Sequence, residues 1–156
     1  MKIIDILNEQ VVQTNLPGST KTDIINAMVD LAASQPQVLD KEKLREAILE
    51  REKIMSTGVG SGFAIPHGKT DAVKDIVAAF AVTAQPIDYQ SLDDQPVRIV
   101  FLLVGRENMV GPHIKLLSRI SRLMNKEEFR KRLLEAAAPQ DILEIFREEE
   151  ATHFEV

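Results

Sequence analysis

Apolar and polar positions along the 156-residue chain recur with two different periods. In GSTKTDIINAMVDLAAS (residues 18–34), Ile24, Ile25, Met28, Leu31 and Ala32 fall at the three- and four-residue steps of one helix face. Ser19 or Thr20 stands where such a helix is capped. LDKEKLREAILEREKIM (residues 39–55) predicts a second helix with Asp40 as its N-cap and Leu44, Ala47, Ile48, Ile54 and Met55 as its buried stripe. DIVAAFAV (residues 75–82) and VRIVFLLV (residues 97–104) are short, almost continuously apolar and β-branched, which predicts strands covered on both faces. FAIP (residues 63–66) predicts a shorter strand ended by its proline, and QPIDYQSLDDQP (residues 85–96) a loop or irregular edge.

Toward the C-terminus, Gly111 and Pro112 open a helix whose apolar side is Ile114, Leu116, Leu117, Ile120, Leu123 and Met124. Asn125 with Glu128 reads as a start signal for a helix over KEEFRKRLLEAA, and Pro139 starts a last one. The tail, residues 151–156, is expected to be loose. Helices on both sides of a small buried sheet predict a single three-layer α/β domain over residues 1–156.

Composition narrows the picture in a few places. There is no cysteine, so disulfides, a thiol nucleophile and thiolate metal ligands are excluded. Asp5 and Asn8 interrupt the N-terminal apolar stretch too early for a signal peptide, and no apolar run approaches the roughly 18 residues of a membrane span. These features suit a soluble protein of the reducing cytoplasm, with no insertion into membrane. A net charge of -5 with interspersed signs argues against a nucleic-acid partner.

The chemistry concentrates in GVGSGFAIPHGKT (residues 58–70). Its GKT ending suggests a nucleotide loop, but the pattern G-x-x-x-x-G-K-[ST] requires glycine at residue 63, where this chain has phenylalanine. Pro66 would also remove a backbone N–H from the cradle. The spacing of Gly58, Gly60 and Gly62 leads into a strand rather than a helix, which suits a tight, bulged connection and not a dinucleotide site.

Three polar residues stand out instead. Arg51 occupies the buried stripe of the second helix, seven residues after Leu44 and three before Ile54. An arginine there either snorkels to water or answers a carboxylate, carbonyls or an anion. His113 heads the apolar stripe of its own helix, either as a satisfied core histidine or as a group beside helix N-terminal amides that favour an anion. His67 lies between Pro66 and Gly68, and a neutral imidazole is a competent nucleophile toward phosphorus. A phosphorylated ring carries close to two negative charges. Arg51, the His113 ring, the amides of residues 112–114, Ser56 and Thr57 could supply donors to it. The competing use is a metal site of His67, Asp71 and His113, which requires residues 67–71 to be helical. Asp71 otherwise reads as a turn residue, and His153 as a solvated residue of the tail.

STGVGSGFAIPHGK (residues 56–69), preceded by ILEREK and followed by VGPHIKLLSRISRL (residues 110–123), resembles the IIA proteins of the bacterial phosphoenolpyruvate:sugar phosphotransferase system, fructose/mannitol type. The resemblance covers essentially the whole chain. It implies a mixed sheet flanked by helices. It further implies that His67 accepts a phosphoryl group from the phosphohistidine of the carrier HPr and passes it to a cysteine of a IIB partner. Arg51 and His113 match the family's other active-site positions. Neither metal nor nucleotide cofactor is implied. Because such a IIB module uses cysteine and this chain has none, a free-standing IIA subunit is expected. Nitrogen-regulatory IIA proteins share the fold and the histidine block and use phosphorylation to switch binding to regulatory targets. The sugar-uptake reading is preferred, with regulation as its alternative.

Overall fold

The structure is a computed structural model that describes residues 1–153. After two short 3-10 segments, Ile3–Ile6 and Glu9–Val11, come strand β1 (Val12–Leu16), helix α1 (Lys21–Ala32) and helix α2 (Lys41–Ile54). Four strands follow before the next long apolar run: β2 (Gly58–Gly60), β3 (Phe63–Ala64), β4 (His67–Lys69) and β5 (Val77–Ile87). The chain ends with β6 (Val97–Gly105), α3 (Val110–Met124), α4 (Glu127–Glu135) and α5 (Pro139–His153).

The two apolar runs form the centre of a mixed six-stranded sheet of order β1-β5-β6-β3-β2, with β4 also on β6. β5 and β6 pair antiparallel, while β1 runs parallel to β5, and β3 and β4 run parallel to β6. Nearly every residue of β6 is buried, as a strand covered on both faces should be. The expected strand over residues 63–66 is instead two strands on one edge of β6. Pro66 has no N–H to pair, but its carbonyl accepts the Leu103 N–H at 3.0 Å, so pairing resumes at His67. β1, β2 and β4 lack a long apolar alternation and were not expected.

Helices α1 and α2 contact each other and β5, β6 and β4; α3, α4 and α5 form a second packed group against β6 and β1. This is the expected three-layer arrangement. Phe80 and Phe101 sit opposite each other on β5 and β6, hence on the same face. Both meet Phe146 of α5 edge to face, at 5.3 and 5.8 Å between ring centroids, and Phe129 of α4 joins Phe146 at 5.3 Å. Four of the six phenylalanines therefore fill one side of the sheet.

Local signals hold at several helix ends. Thr20 Oγ1 accepts the Asp23 N–H and Asp23 accepts the Thr20 N–H, a capping box, and Asp40 accepts the Lys43 N–H. Others do not. Asn125 stays in right-handed helical conformation and ends α3, so it cannot cap α4; extended Lys126 takes that position without a side-chain bond. Pro112 is the third residue of α3, not the first. Ile54, Met55 and Ile114 are exposed, because the last turn of α2 buries Glu52 and the first turn of α3 buries His113 in their place. Residues 151–153 continue α5, correcting the expected loose tail, and residues 154–156 lie outside those described. Among the described residues no helix is long and apolar enough to cross a membrane.

Candidate functional site

β4 and β6 run parallel and end together, with Lys69 opposite Gly105. The chain leaves β6 through residues 106–109 and enters α3, so the carboxyl ends of two parallel strands face a helix start. Open α/β sheets characteristically bind ligands at such a crevice. Alternation along β4 puts His67 and Lys69 on the same side. Helix α2 packs on β4 at Gly68, where a Cβ would stand at ordinary contact distance, 3.4 Å from the Ile48 side chain and 3.8 Å from the Ala47 carbonyl. That packing sets Arg51 beside His67.

The His67 ring is fixed by one hydrogen bond. Its Nδ1 lies 2.7 Å from the Ile65 carbonyl oxygen. A carbonyl only accepts, so Nδ1 carries the proton and donates, which leaves the lone pair of the neutral ring on Nε2. Burial lowers the His67 pKa. The Ile65 hydrogen bond opposes that shift, while Arg51 adds to it. The ring is therefore neutral at pH 7, as a nucleophile must be.

Arg51 is half-buried, and its Nη1 donates to the Met55 carbonyl at 2.9 Å. His113 is 3% exposed, and neither ring nitrogen has a hydrogen-bond partner among the described residues. The expected alternative of a satisfied core histidine is thus overturned. The two histidine rings are 6.2 Å apart with planes at 80°. Burial, then the charges of His67 and Lys69, pull the His113 pKa from 6.5 to about 4. The amides expected to face an anion shift by two residues. Pro112 has no N–H, and the His113 N–H is committed to the Met109 carbonyl, so the helix leaves the amides of Val110 and Gly111 without an intrahelical partner.

Arg51, His67 and His113 line a cleft of about 520 Å³ with Ala47, Gly68, Lys69, Glu107, Ile114 and Leu117, while Val110 and Gly111 lie outside its lining. A larger groove, about 780 Å³, runs along α3 past Met1, Arg119 and Arg122 but contains none of Arg51, His67 and His113; volume alone does not select the site. Ser56 and Thr57 do not line the cleft. The Ser56 hydroxyl donates to the Tyr89 carbonyl at 3.2 Å, and Thr57 directs its N–H and hydroxyl to Glu52. Lys69 was missed as a site residue because it was weighed only as the lysine of GKT. Recognition of a strand at residues 67–69 would have paired it with His67.

The metal alternative loses its geometric condition, because residues 67–69 are strand and Asp71 lies in the exposed turn beyond it. No three of the described His, Asp and Glu side chains group as ligands. His153 is exposed, as expected of a solvated residue, but it belongs to α5 and not to a loose tail, with its Nε2 3.0 Å from Glu149. What the cleft brings together is a free imidazole nitrogen, two permanent cationic side chains and a second imidazole able to change its protonation.

A sequence model of the family described as phosphoenolpyruvate-dependent sugar phosphotransferase system, EIIA 2, matches residues 5–149. The fructose-specific EIIABC component of Bacillus subtilis is 38% identical over 148 residues, 95% of this chain; the chain spans only 23% of that protein's length. The fructose-specific EIIA component of Haloferax volcanii is 38% identical over 132 residues, 85% of this chain and 86% of the relative. A nitrogen regulatory protein of Bradyrhizobium diazoefficiens is 35% identical over 147 residues, 93% of this chain and 94% of the relative. The crystal structure of nitrogen regulatory protein IIA-Ntr from Neisseria meningitidis superposes with a TM-score of 0.87 at 28% identity, over 92% of this chain and 98% of that one. The IIA mannitol chain in its complex with phosphorylated IIB from Escherichia coli shares the fold, with a TM-score of 0.78 at 21% identity over 91% and 97% of the two chains.

Proposed function

The chain belongs to the EIIA 2 family of the phosphoenolpyruvate-dependent sugar phosphotransferase system, and from that premise we propose that His67 is its phosphoryl acceptor and donor, working through Nε2. The observation that carries this reading is the division of labour in the ring: Nδ1 is held by the Ile65 carbonyl, and Nε2 is left to the cleft shared with Arg51, Lys69 and His113.

The Nε2 lone pair attacks the phosphorus of a phosphohistidine on an HPr-like carrier. The N–P bond to the carrier breaks, its electron pair returns to the carrier's imidazole, and a new N–P bond forms on His67. The transferred group spreads negative charge over its oxygens in an in-line transition state, so catalysis is positioning and electrostatic stabilisation. Arg51 leaves the Met55 carbonyl to clamp those oxygens, Lys69 adds a point charge, and a ring N–H of His113 donates to them. In the second transfer a cysteine thiolate of a IIB partner attacks the same phosphorus and His67 recovers its lone pair. The protein is in this sense a phosphotransferase of the cytoplasm serving fructose- or mannitol-type sugar uptake.

A regulatory role is the second reading. It is favoured by the 35% identity to a nitrogen regulatory protein along 94% of that relative. There the phosphate on His67 would switch binding to target proteins. Both readings share one test. Incubation with phosphoenolpyruvate, enzyme I and HPr is expected to add a single acid-labile phosphate to the intact mass, absent in His67→Ala. A folded wild-type protein that gains no phosphate would overturn the proposal. Passage of the label to a IIB cysteine separates sugar uptake from regulation.

A further inference from the structure

Beside the cleft, a second group of polar side chains is enclosed between α1, α2 and the Tyr89 segment. Glu52 follows Arg51 in the last turn of α2, and its side chain is 6% exposed. Its Oε1 accepts the Thr57 N–H at 2.8 Å and lies 2.8 Å from Lys21 Nζ, and its Oε2 accepts the Thr57 hydroxyl at 2.6 Å. Lys21 Nζ in turn stands 4.8 Å from the centre of the Tyr89 ring. The Tyr89 hydroxyl is 3.1 Å from Thr57 Oγ1, and since that oxygen already donates to Glu52, the tyrosine donates to it.

The connection does not stop at Thr57. Its carbonyl accepts the Ile65 N–H at 3.0 Å, and the Ile65 carbonyl accepts the Nδ1–H of His67 at 2.7 Å. Three hydrogen bonds therefore lead from the Glu52 carboxylate to the ring that the proposed chemistry uses. A buried ion pair is weak evidence of stability, since apolar residues of similar volume often replace one without loss. Glu52 and Lys21 therefore call for a different reason, and the chain of bonds supplies one.

We infer that Glu52 is a positioning residue for phosphoryl transfer: through Thr57 and Ile65 it holds the His67 ring with Nε2 facing the cleft, and from the same helical turn it holds Arg51 at the cleft wall. Glu52 lines no part of that cleft and touches no reacting atom. The inference rests on the reading of His67 as acceptor.

The test compares wild type, Glu52→Gln, Thr57→Val and Thr57→Ser. Initial phosphorylation rates are measured against HPr concentration, with enzyme I and phosphoenolpyruvate in excess. The His67 tautomer is read from ring ¹⁵N shifts of the unphosphorylated proteins. Glu52→Gln and Thr57→Val are expected to accept phosphate about tenfold more slowly at saturating HPr with an unchanged KM. Their His67 rings should populate both tautomers, and Thr57→Ser should restore both readouts. Wild-type rates and a pure Nδ1–H tautomer in folded Glu52→Gln and Thr57→Val overturn the inference. Should Glu52→Gln lose its fold, Thr57→Val, which exchanges the hydroxyl for a methyl of similar size and so removes the side-chain link to Glu52, decides by the same readouts. If wild type itself gains no phosphate, the phosphocarrier reading fails, while the tautomer comparison still tests the positioning.

Discussion

Glu150 and His113 are both buried polar side chains in the helical layer that covers one face of the sheet, and their hydrogen-bond accounts are opposite. Glu150 on α5 is 1% exposed and has partners on both oxygens. The Ile3 N–H and Arg119 Nη1 reach Oε2 at 2.8 and 3.1 Å, and the Ile4 N–H reaches Oε1 at 2.9 Å. That one carboxylate ties the N-terminal segment, α3 and α5 together. His113, six residues before Arg119 on the same helix, is almost as buried and has no partner on either nitrogen among the described residues. A buried polar group with its bonds made is architecture. One enclosed beside a cleft with neither nitrogen bonded costs stability until something fills its bonds, which is the mark of a binding position.

Replacing His113 by Ala should cut the rate of phosphoryl acceptance by His67 about 100-fold, the usual scale for removing one stabilising donor. Thermal stability should not fall with it. A near-normal rate with a lowered melting temperature would move His113 to the architectural side. Glu150→Ala should do the reverse. Breaking a buried pair is expected to cost about 3 kcal/mol in urea unfolding, with an acceptance rate within about twofold of wild type. A large loss of rate in a folded Glu150→Ala protein would show that the two regions are coupled through Arg119.

Acid sharpens the contrast. The His113 pKa is depressed from 6.5 to about 4 in the fold. Above 6.5 neither folded nor unfolded chain binds a proton there. As pH falls from 6.5 toward 4, the unfolded chain takes up a proton that the fold refuses, so stability declines through that window, by about 3 kcal/mol. The depressed His67 pKa acts with the same sign. Urea midpoints at pH 7 and pH 4.5 should differ more in wild type than in His113→Ala; equal differences would remove His113 as the cause. The smallest effect belongs to the rim. Ile114 is 60% exposed, so Ile114→Ser should change stability by less than about 0.5 kcal/mol. It should still raise the KM for HPr a few-fold if the partner covers that rim.

Several features were readable from residue order. Thr20 and Asp40 cap α1 and α2 because capping depends on groups three residues apart. The apolar runs of β5 and β6 announced the sheet centre. Arg51 and His113 were visible as polar residues on apolar stripes, and His67 by its place between Pro66 and Gly68. Lys69 was not, because β4 is three residues long and has no period to detect. Ile54 and Met55 were assigned inward because helical spacing says which residues share a face, not how far the core extends along it. Glu52, off the predicted stripe, is the residue that the last turn of α2 buries.

Residue order alone carried the helix starts at α1 and α2 and the apolar strands, and it singled out His67 as the candidate nucleophile. These rest on interactions between near neighbours and on residue chemistry. Which polar groups meet follows from the folded arrangement. Arg51, Lys69 and His113 share a cleft with His67 because β4 pairs in parallel with β6, α2 packs on β4, and α3 begins where β6 ends. The same arrangement decides that Thr57 turns to Glu52 while His113 keeps both nitrogens open. Hydrogen-bond satisfaction depends on three-dimensional neighbours, and no spacing along the chain records them.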